Sequence, residues 1–166
     1  MGTVIITGAS SGIGRSVAIQ LSRLKLFHNI ALIGRSQESL QGTIGLMDVA
    51  GLRIELFEFD LVDFIQVESL MHSIYHCFNS IDCLINIAGY TEPAPALLTT
   101  AENFITTYSV NVFSPFFLMK SACKYMKKTG GKILNVASTA GMTPRPGWVS
   151  YASSKAAMIS LSQTLT

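Results

Sequence analysis

Tyr151 and Lys155 stand four residues apart in the stretch "SYASSKAA". At that spacing two side chains share one face of a helix, one turn apart. A phenol is a weak proton donor, and an ammonium held beside it favours the phenolate, which draws proton exchange toward working pH. Ser138, thirteen residues before Tyr151, can donate a hydrogen bond to the same substrate oxygen. The three together read as an apparatus for moving a proton onto or off an oxygen. Taken alone, Y-x-x-x-K is also a common surface pattern, so its context decides.

Part of that context is a glycine-rich turn, "TGASSGIG" (Thr7–Gly14), between an apolar run and a helical pattern. Gly8, Gly12 and Gly14 allow a tight turn, close approach of the backbone to a ligand, and close helix–strand contact. The helix N-terminus that follows offers N–H groups and a positive dipole end to a diphosphate. The spacing is G-x-x-x-G-x-G rather than G-x-G-x-x-G. Tight turns between packed elements also use glycine, but the position after a first strand and before a helix favours nucleotide binding. Gly8, Ser10, Ser11, Gly12, Ile13 and Gly14 are therefore the candidate contacts. The second strand adds a preference. An acid at its end would bind a ribose 2′-hydroxyl, yet "IGRS" places Gly34 and Arg35 there, and the nearest acid is Glu38. Arg35 suits a 2′-phosphate and can stack on adenine, so NADP(H) is favoured over NAD(H).

The elements that must position these residues alternate along the chain. Short apolar strands are expected at Thr3–Thr7, Asn29–Gly34, Arg53–Asp60, Asp82–Gly89 and Gly130–Ser138. Helical spacing follows each: through Ile13, Val17, Leu21 and Leu24; over Ser36–Gly51 with Gly42 and Gly45 as interruptions; and from a cap at Asp63 through Ile74. A long helix is expected from Glu102 to Lys127 with a kink at Pro115, and a last one holds Tyr151 and Lys155. Strands this apolar are buried on both faces, which implies a parallel sheet covered by helices on each side. The fold class is α/β, a doubly wound Rossmann-type parallel sheet of five strands in the order 3-2-1-4-5. Its ligands sit outside the carboxyl ends of the strands, where every candidate motif falls.

Composition removes other function classes. Half of the 166 residues are hydrophobic (49%) and 13% are charged, a core-rich makeup for one domain. The apolar runs are too short to span a bilayer. A net charge of +2 with scattered basic residues gives no footprint for nucleic acid, and Lys124, Lys127 and Lys128 read as a solvated helix end. Cys77, Cys83 and Cys123 are read as buried reduced thiols. The chain enters "TVIIT" directly after Met1-Gly2, with no cationic and apolar leader, and Ile6 stands where a myristoylation signal wants Ser or Thr. A cytoplasmic location is expected. His72 and His76 lack a third ligand, so no metal is expected. Trp148 and Met142 border the site, while Phe116 and Phe117 read as core or a helix–helix interface.

"TGASSGIG", "NIAG" (Asn86–Gly89), Asn111 in "YSVNVF", Ser138 in "ILNVAS" and "YASSK" (Tyr151–Lys155) together resemble the short-chain dehydrogenase/reductase pattern, in order and spacing, over the whole chain. The resemblance implies an NADP(H)-dependent oxidoreductase that interconverts a small-molecule carbonyl and alcohol by hydride transfer. It implies Tyr151 as general acid/base, and Lys155 as the group that tunes Tyr151 and binds the nicotinamide ribose. Ser138 would polarise the substrate oxygen, and Asn111 would anchor a water in a proton relay to Lys155. Asp60 would hydrogen-bond adenine, and Asn86 and Gly89 would line the adenosine side, with Ile87 causing a local packing change. A homodimer or homotetramer is implied, with Val110–Met119 and Ala156–Leu165 as the apolar stretches to form it.

One departure from the pattern concerns the end of the chain. Family members continue past the Tyr–Lys helix into further strands and a substrate lid, whereas residues 1–166 are read as a single dinucleotide-binding domain without them. The strand around Lys132–Val136 would then be an open apolar edge. The alternative to an oxidoreductase is a truncated, catalytically weak NADP(H)-binding or partner-interaction module.

Overall fold

A computed structural model of the protein describes residues 2–165. Met1 and Thr166, the ends of the expected domain, lie outside the described residues. Five strands form one sheet: β1 (Thr3–Thr7), β2 (Asn29–Gly34), β3 (Arg53–Glu58), β4 (Cys83–Asn86) and β5 (Lys132–Asn135). All pairings are parallel, and the order is β3-β2-β1-β4-β5, as the alternation of elements predicts. The helices are α1 (Gly12–Leu24), α2 (Gln37–Ile44), α3 (Val67–Phe78), α4 (Ala101–Tyr108), α5 (Ser114–Met126) and α6 (Val149–Thr164).

Period-two geometry explains the double-sided core. Val4 and Ile6 of β1, with Ile30 and Leu32 of β2, pack against Ala18 of α1 and Leu40 of α2. The intervening Ile5, Ala31 and Ile33 face the other way, toward Met71 and Ile74 of α3, Leu118 and Met119 of α5, and Met158 of α6. Each fully buried Leu or Ile contributes about 1.5–3 kcal/mol. No amphipathic alternation appears in these strands because neither face meets water. At the sheet edge β5 differs: Leu134 is 55% exposed, whereas Ile133 and Asn135 are half-buried beside α5 and α6.

Several elements differ from the sequence expectation. The long helix is not continuous: a π-helical stretch, Ser109–Phe113, separates α4 from α5. Pro115 has no N–H to give and clashes with an unbroken helix, so the turn before it widens rather than merely kinking. α2 ends at Gly45 instead of running to Gly51, capped at its start by Ser36, whose Oγ accepts the Ser39 N–H at 3.2 Å. Asp63 precedes a 3₁₀ turn (Phe64–Gln66), and its side chain makes no capping bond. The strands β3, β4 and β5 are shorter at their ends than the apolar runs, because the flanking residues turn into the loops at the carboxyl edge. Cys77 and Cys83 are half-buried and free, but Cys123 is exposed, facing a groove beside β5. Within Val110–Met119, Val110, Leu118 and Met119 join the chain's own core, and Val112 is buried; Phe113 is exposed, whereas Phe116 and Phe117 are half-buried, Phe117 against that same core. Among the described residues no helix is long and apolar enough to cross a membrane.

Candidate active site

The chain leaves β1 toward β2 on one side and later returns to β4 on the other, which opens a crevice at the carboxyl ends of the strands. A cleft of about 560 Å³ occupies that crevice. Gly8, Ser10, Ser11, Gly12, Ile13, Gly14, Arg35, Asp60, Gly89, Ser138, Tyr151 and Lys155 all line it. Twelve of the fourteen expected site residues thus meet in one place; Asn86 and Asn111 do not line it. A second hollow of about 740 Å³, between α5, the end of α6 and β5, carries none of them.

The glycine turn is shaped by contacts that only glycine permits. Gly8 has φ +68°, and a Cβ there would lie 2.9 Å from the Ala88 Cα. A Cβ on Gly14 would lie 2.1 Å from the Gly8 carbonyl oxygen, so α1 can start this close to β1 only with glycine. Ser11 precedes α1 but makes no side-chain cap, and the first turn of the helix carries no acid. Its N-terminal dipole is left to an anion from outside. Thr7, buried at the end of β1, accepts the N–H groups of Ile87 and Ala88 at 3.0 and 3.1 Å and ties the second wall of the cleft to the first. Ile87 packs against the α1 side of the core.

Lys155 is 4% exposed and donates to the Val136 carbonyl at 2.9 Å. Its Nζ lies 5.8 Å from the centre of the Tyr151 ring, so α6 places the ammonium beside the phenol as the four-residue spacing requires. Burial pushes its pKa below the usual lysine range. Trp148 packs edge-on against Tyr151 with ring centres 5.3 Å apart. Ser138 lies three residues past the end of β5, rather than on the strand as the sequence predicts, and caps the following turn by accepting the Ala140 N–H at 3.2 Å, which leaves its own O–H to be donated elsewhere. The 3₁₀ turn after it, Thr139–Gly141, lies directly on α6: a Cβ on Gly141 would be 2.7 Å from the Ala156 N.

The two asparagines serve other contacts. Asn111, in the π-helical stretch, donates to the Tyr90 carbonyl and the Ser154 Oγ at 2.9 Å each, while its Oδ1 accepts the Tyr90 N–H at 2.8 Å. Its amide group is a strut between the loop after β4 and α6. Asn86 is 5% exposed and donates to Asn135 Oδ1 at 2.8 Å, cross-linking β4 to β5 under α6. Its own Oδ1 is buried without a hydrogen-bond partner among the described residues. Asp60 accepts the Val62 N–H at 3.0 Å and shapes the loop after β3. His72 and His76 lie edge to face on α3, 4.4 Å apart, and no group of three metal-ligating side chains occurs among the described residues.

The sequence reading passed over Asn103 and Ser150. Asn103, 7% exposed in α4, donates to the Glu92 carbonyl at 3.1 Å and accepts the Ser150 hydroxyl at 3.0 Å. It joins the loop after β4 to the residue before Tyr151. The Ala94 N–H bonds to the Gly147 carbonyl at 2.9 Å, so the two proline-containing loops over the site are also tied together. The Asn103–Ser150 and Ala94–Gly147 bonds join residues more than forty apart and the Asn103–Glu92 bond joins a helix to an irregular loop, so no periodic signal marks them.

Comparison with known proteins agrees with this geometry. A profile described as short chain dehydrogenase matches residues 2–166. A 2,3-dihydro-2,3-dihydroxybenzoate dehydrogenase of Bacillus subtilis is 32% identical over 161 residues, which cover 96% of this chain and 61% of that one. The chain thus spans about three fifths of the length of this curated relative. An NAD⁺-bound xylitol dehydrogenase has a TM-score of 0.89 at 28% identity, covering 98% of this chain and 63% of that one. A metagenomic short-chain oxidoreductase in complex with NADP has a TM-score of 0.91 at 25% identity, covering 98% and 73%. From the glycine turn through the Tyr–Lys helix, this chain belongs to the short-chain dehydrogenase family.

Proposed function

We propose that the protein is the nucleotide-binding and proton-transferring part of an NADP(H)-dependent oxidoreductase that interconverts a small-molecule carbonyl and its alcohol. The carrying observation is that Tyr151 and the buried Lys155 open onto the same cleft as the glycine turn. The residues fit a dinucleotide. Gly12, with φ +50°, has nothing within 4 Å of where a Cβ would stand, so its backbone is open to a ligand at the uncapped start of α1. The glycine turn would hold the diphosphate, Asp60 and Gly89 the adenosine side, and Lys155 the nicotinamide ribose. When bound, the nicotinamide supplies the hydride that a carbonyl carbon gains or an alcohol carbon loses.

The side chains handle the proton. Tyr151 gives it from its phenol oxygen to the substrate oxygen, or takes it back in oxidation. Ser138 donates a hydrogen bond to that same oxygen. The Lys155 ammonium stabilises the phenolate left behind; one of its three N–H bonds goes to Val136, which leaves two for ribose hydroxyls. Asn111 contributes through its backbone. It would anchor the relay water through its carbonyl, because its side chain is committed as a strut between Tyr90 and Ser154. A homodimer or homotetramer belongs to the same reading, its contacts drawn from the outward faces of α5 and α6.

The preference for NADP(H) rests on the end of β2. A Cβ on Gly34 would lie 3.0 Å from Leu40 and 3.3 Å from Ser10. An acid there, to bind a free 2′-hydroxyl, would need the Leu40 and Ser10 side chains to give way, and the exposed Arg35 next to it lines the cleft. A binding-only module would have no use for a lysine buried beside a phenol. The test is a single-turnover assay with the chain in excess, NADPH, and a panel of aldehydes and ketones. Tyr151→Phe is expected to slow cofactor oxidation by about 10²–10⁴-fold; equal rates for the two proteins would contradict the role of Tyr151.

A further inference from the structure

We propose that Thr43 of α2 and Arg15 of α1 form a clamp on the glycine turn and are positioning residues for the diphosphate of the cofactor. The clamp rests on the nucleotide-binding reading above and extends it to two residues outside the glycine motif. Thr43 is fully buried, and its hydroxyl lies 2.9 Å from the Ala9 carbonyl oxygen, against 3.3 Å to the Ser39 carbonyl in its own helix. The same Oγ accepts a hydrogen bond from Arg15 Nε at 3.1 Å. A second guanidinium nitrogen of Arg15, Nη2, donates to the Ser10 carbonyl. The Ala9 N–H is held as well, by the Ile33 carbonyl at the end of β2, at 3.1 Å.

The consequence follows from the planarity of the peptide. In a trans peptide the carbonyl of one residue and the N–H of the next point in opposite directions, and no cis peptide occurs among the described residues. Holding the Ala9 carbonyl on Thr43 therefore turns the Ser10 N–H away from α2. Holding the Ser10 carbonyl on Arg15 turns the Ser11 N–H away from the guanidinium. Ser10 and Ser11 both line the cleft. Were either peptide to flip, a carbonyl oxygen would replace an N–H where a phosphate must sit, and attraction would become repulsion. Arg15 is in no ion pair among the described residues, so its charge also adds to the positive field of the helix end. A buried hydroxyl inside a helix is otherwise hard to account for, because valine has the same shape and loses nothing by burial.

Calorimetric titration of the 166-residue chain with NADPH, and with 2′-phospho-ADP-ribose, tests the clamp. The second probe carries the diphosphate but no nicotinamide. Thr43→Val is expected to weaken both ligands by about tenfold, the scale of one hydrogen bond. Thr43→Ser, which restores the hydroxyl, is expected to return both affinities to near those of the unchanged chain. A merely structural Thr43 would move the melting temperature but leave both affinities intact, and that result would overturn the clamp while leaving the nucleotide site standing. If Thr43→Val does not fold, Arg15→Met carries the test, and undiminished affinity in that variant overturns the proposal. An unchanged chain that binds neither ligand would instead remove the nucleotide-binding reading, and the clamp with it.

Discussion

Lys155 concentrates the chemistry of the site in one buried charge. Among the described residues the Val136 carbonyl is its one hydrogen-bond acceptor, and burial lowers its pKa. A lysine with a depressed folded pKa binds fewer protons folded than unfolded, between that value and about 10.4. Stability therefore rises with pH across this window, and below it the full cost of holding the charge is present. Lys155→Met is accordingly expected to melt above the unchanged chain at pH 7, with the difference closing as pH rises toward about 10. Melting curves at several pH values check this; a variant that melts lower at pH 7 would mean the ammonium is better solvated than its burial implies. On the proposed function, such a residue costs stability and is kept for what it does to Tyr151.

The site depends on three elements meeting at α6: the turn after Ser138, the π-helical stretch, and the loops carrying Tyr90 and Trp148. Gly141 sets the first contact. A Cβ there meets the α6 backbone at Lys155 and Ala156, which cannot swing aside as a side chain could. Gly141→Ala is expected to cost about 1–3 kcal/mol, lowering the melting temperature by roughly 2–4 °C per kcal/mol. Thermal unfolding measures it, and an unchanged melting temperature would show that the turn lifts off α6 at no cost. Not all of this was legible in the sequence. β1 and β2 could be read to the residue because a strand buried on both faces is an unbroken apolar run bounded by glycine or polar residues. The glycine turn and the Tyr–Lys pair were readable because their spacing is local. The π-helical stretch was not: Pro115 signals a disturbance, but whether the helix kinks or widens depends on the packing around it. Asn86 and Asn111 were placed by type, yet their side chains turn to Asn135, Tyr90 and Ser154, partners that only the folded sheet brings near.

As a whole, the molecule is a five-stranded sheet with its cleft at the reversal of strand order and its β5 side open. The glycine turn comes from the start of the chain and Ser138, Tyr151 and Lys155 from its last thirty residues, and the fold brings the two onto one cleft. Trp148, the single tryptophan, packs against Tyr151 and reports on that junction. The most direct test is to titrate the 166-residue chain with NADPH and, separately, with NADH, following Trp148 fluorescence and confirming by calorimetry. Saturable binding that quenches Trp148 and favours NADPH is the expected result. No binding by a folded chain, or tighter binding of NADH, would contradict it.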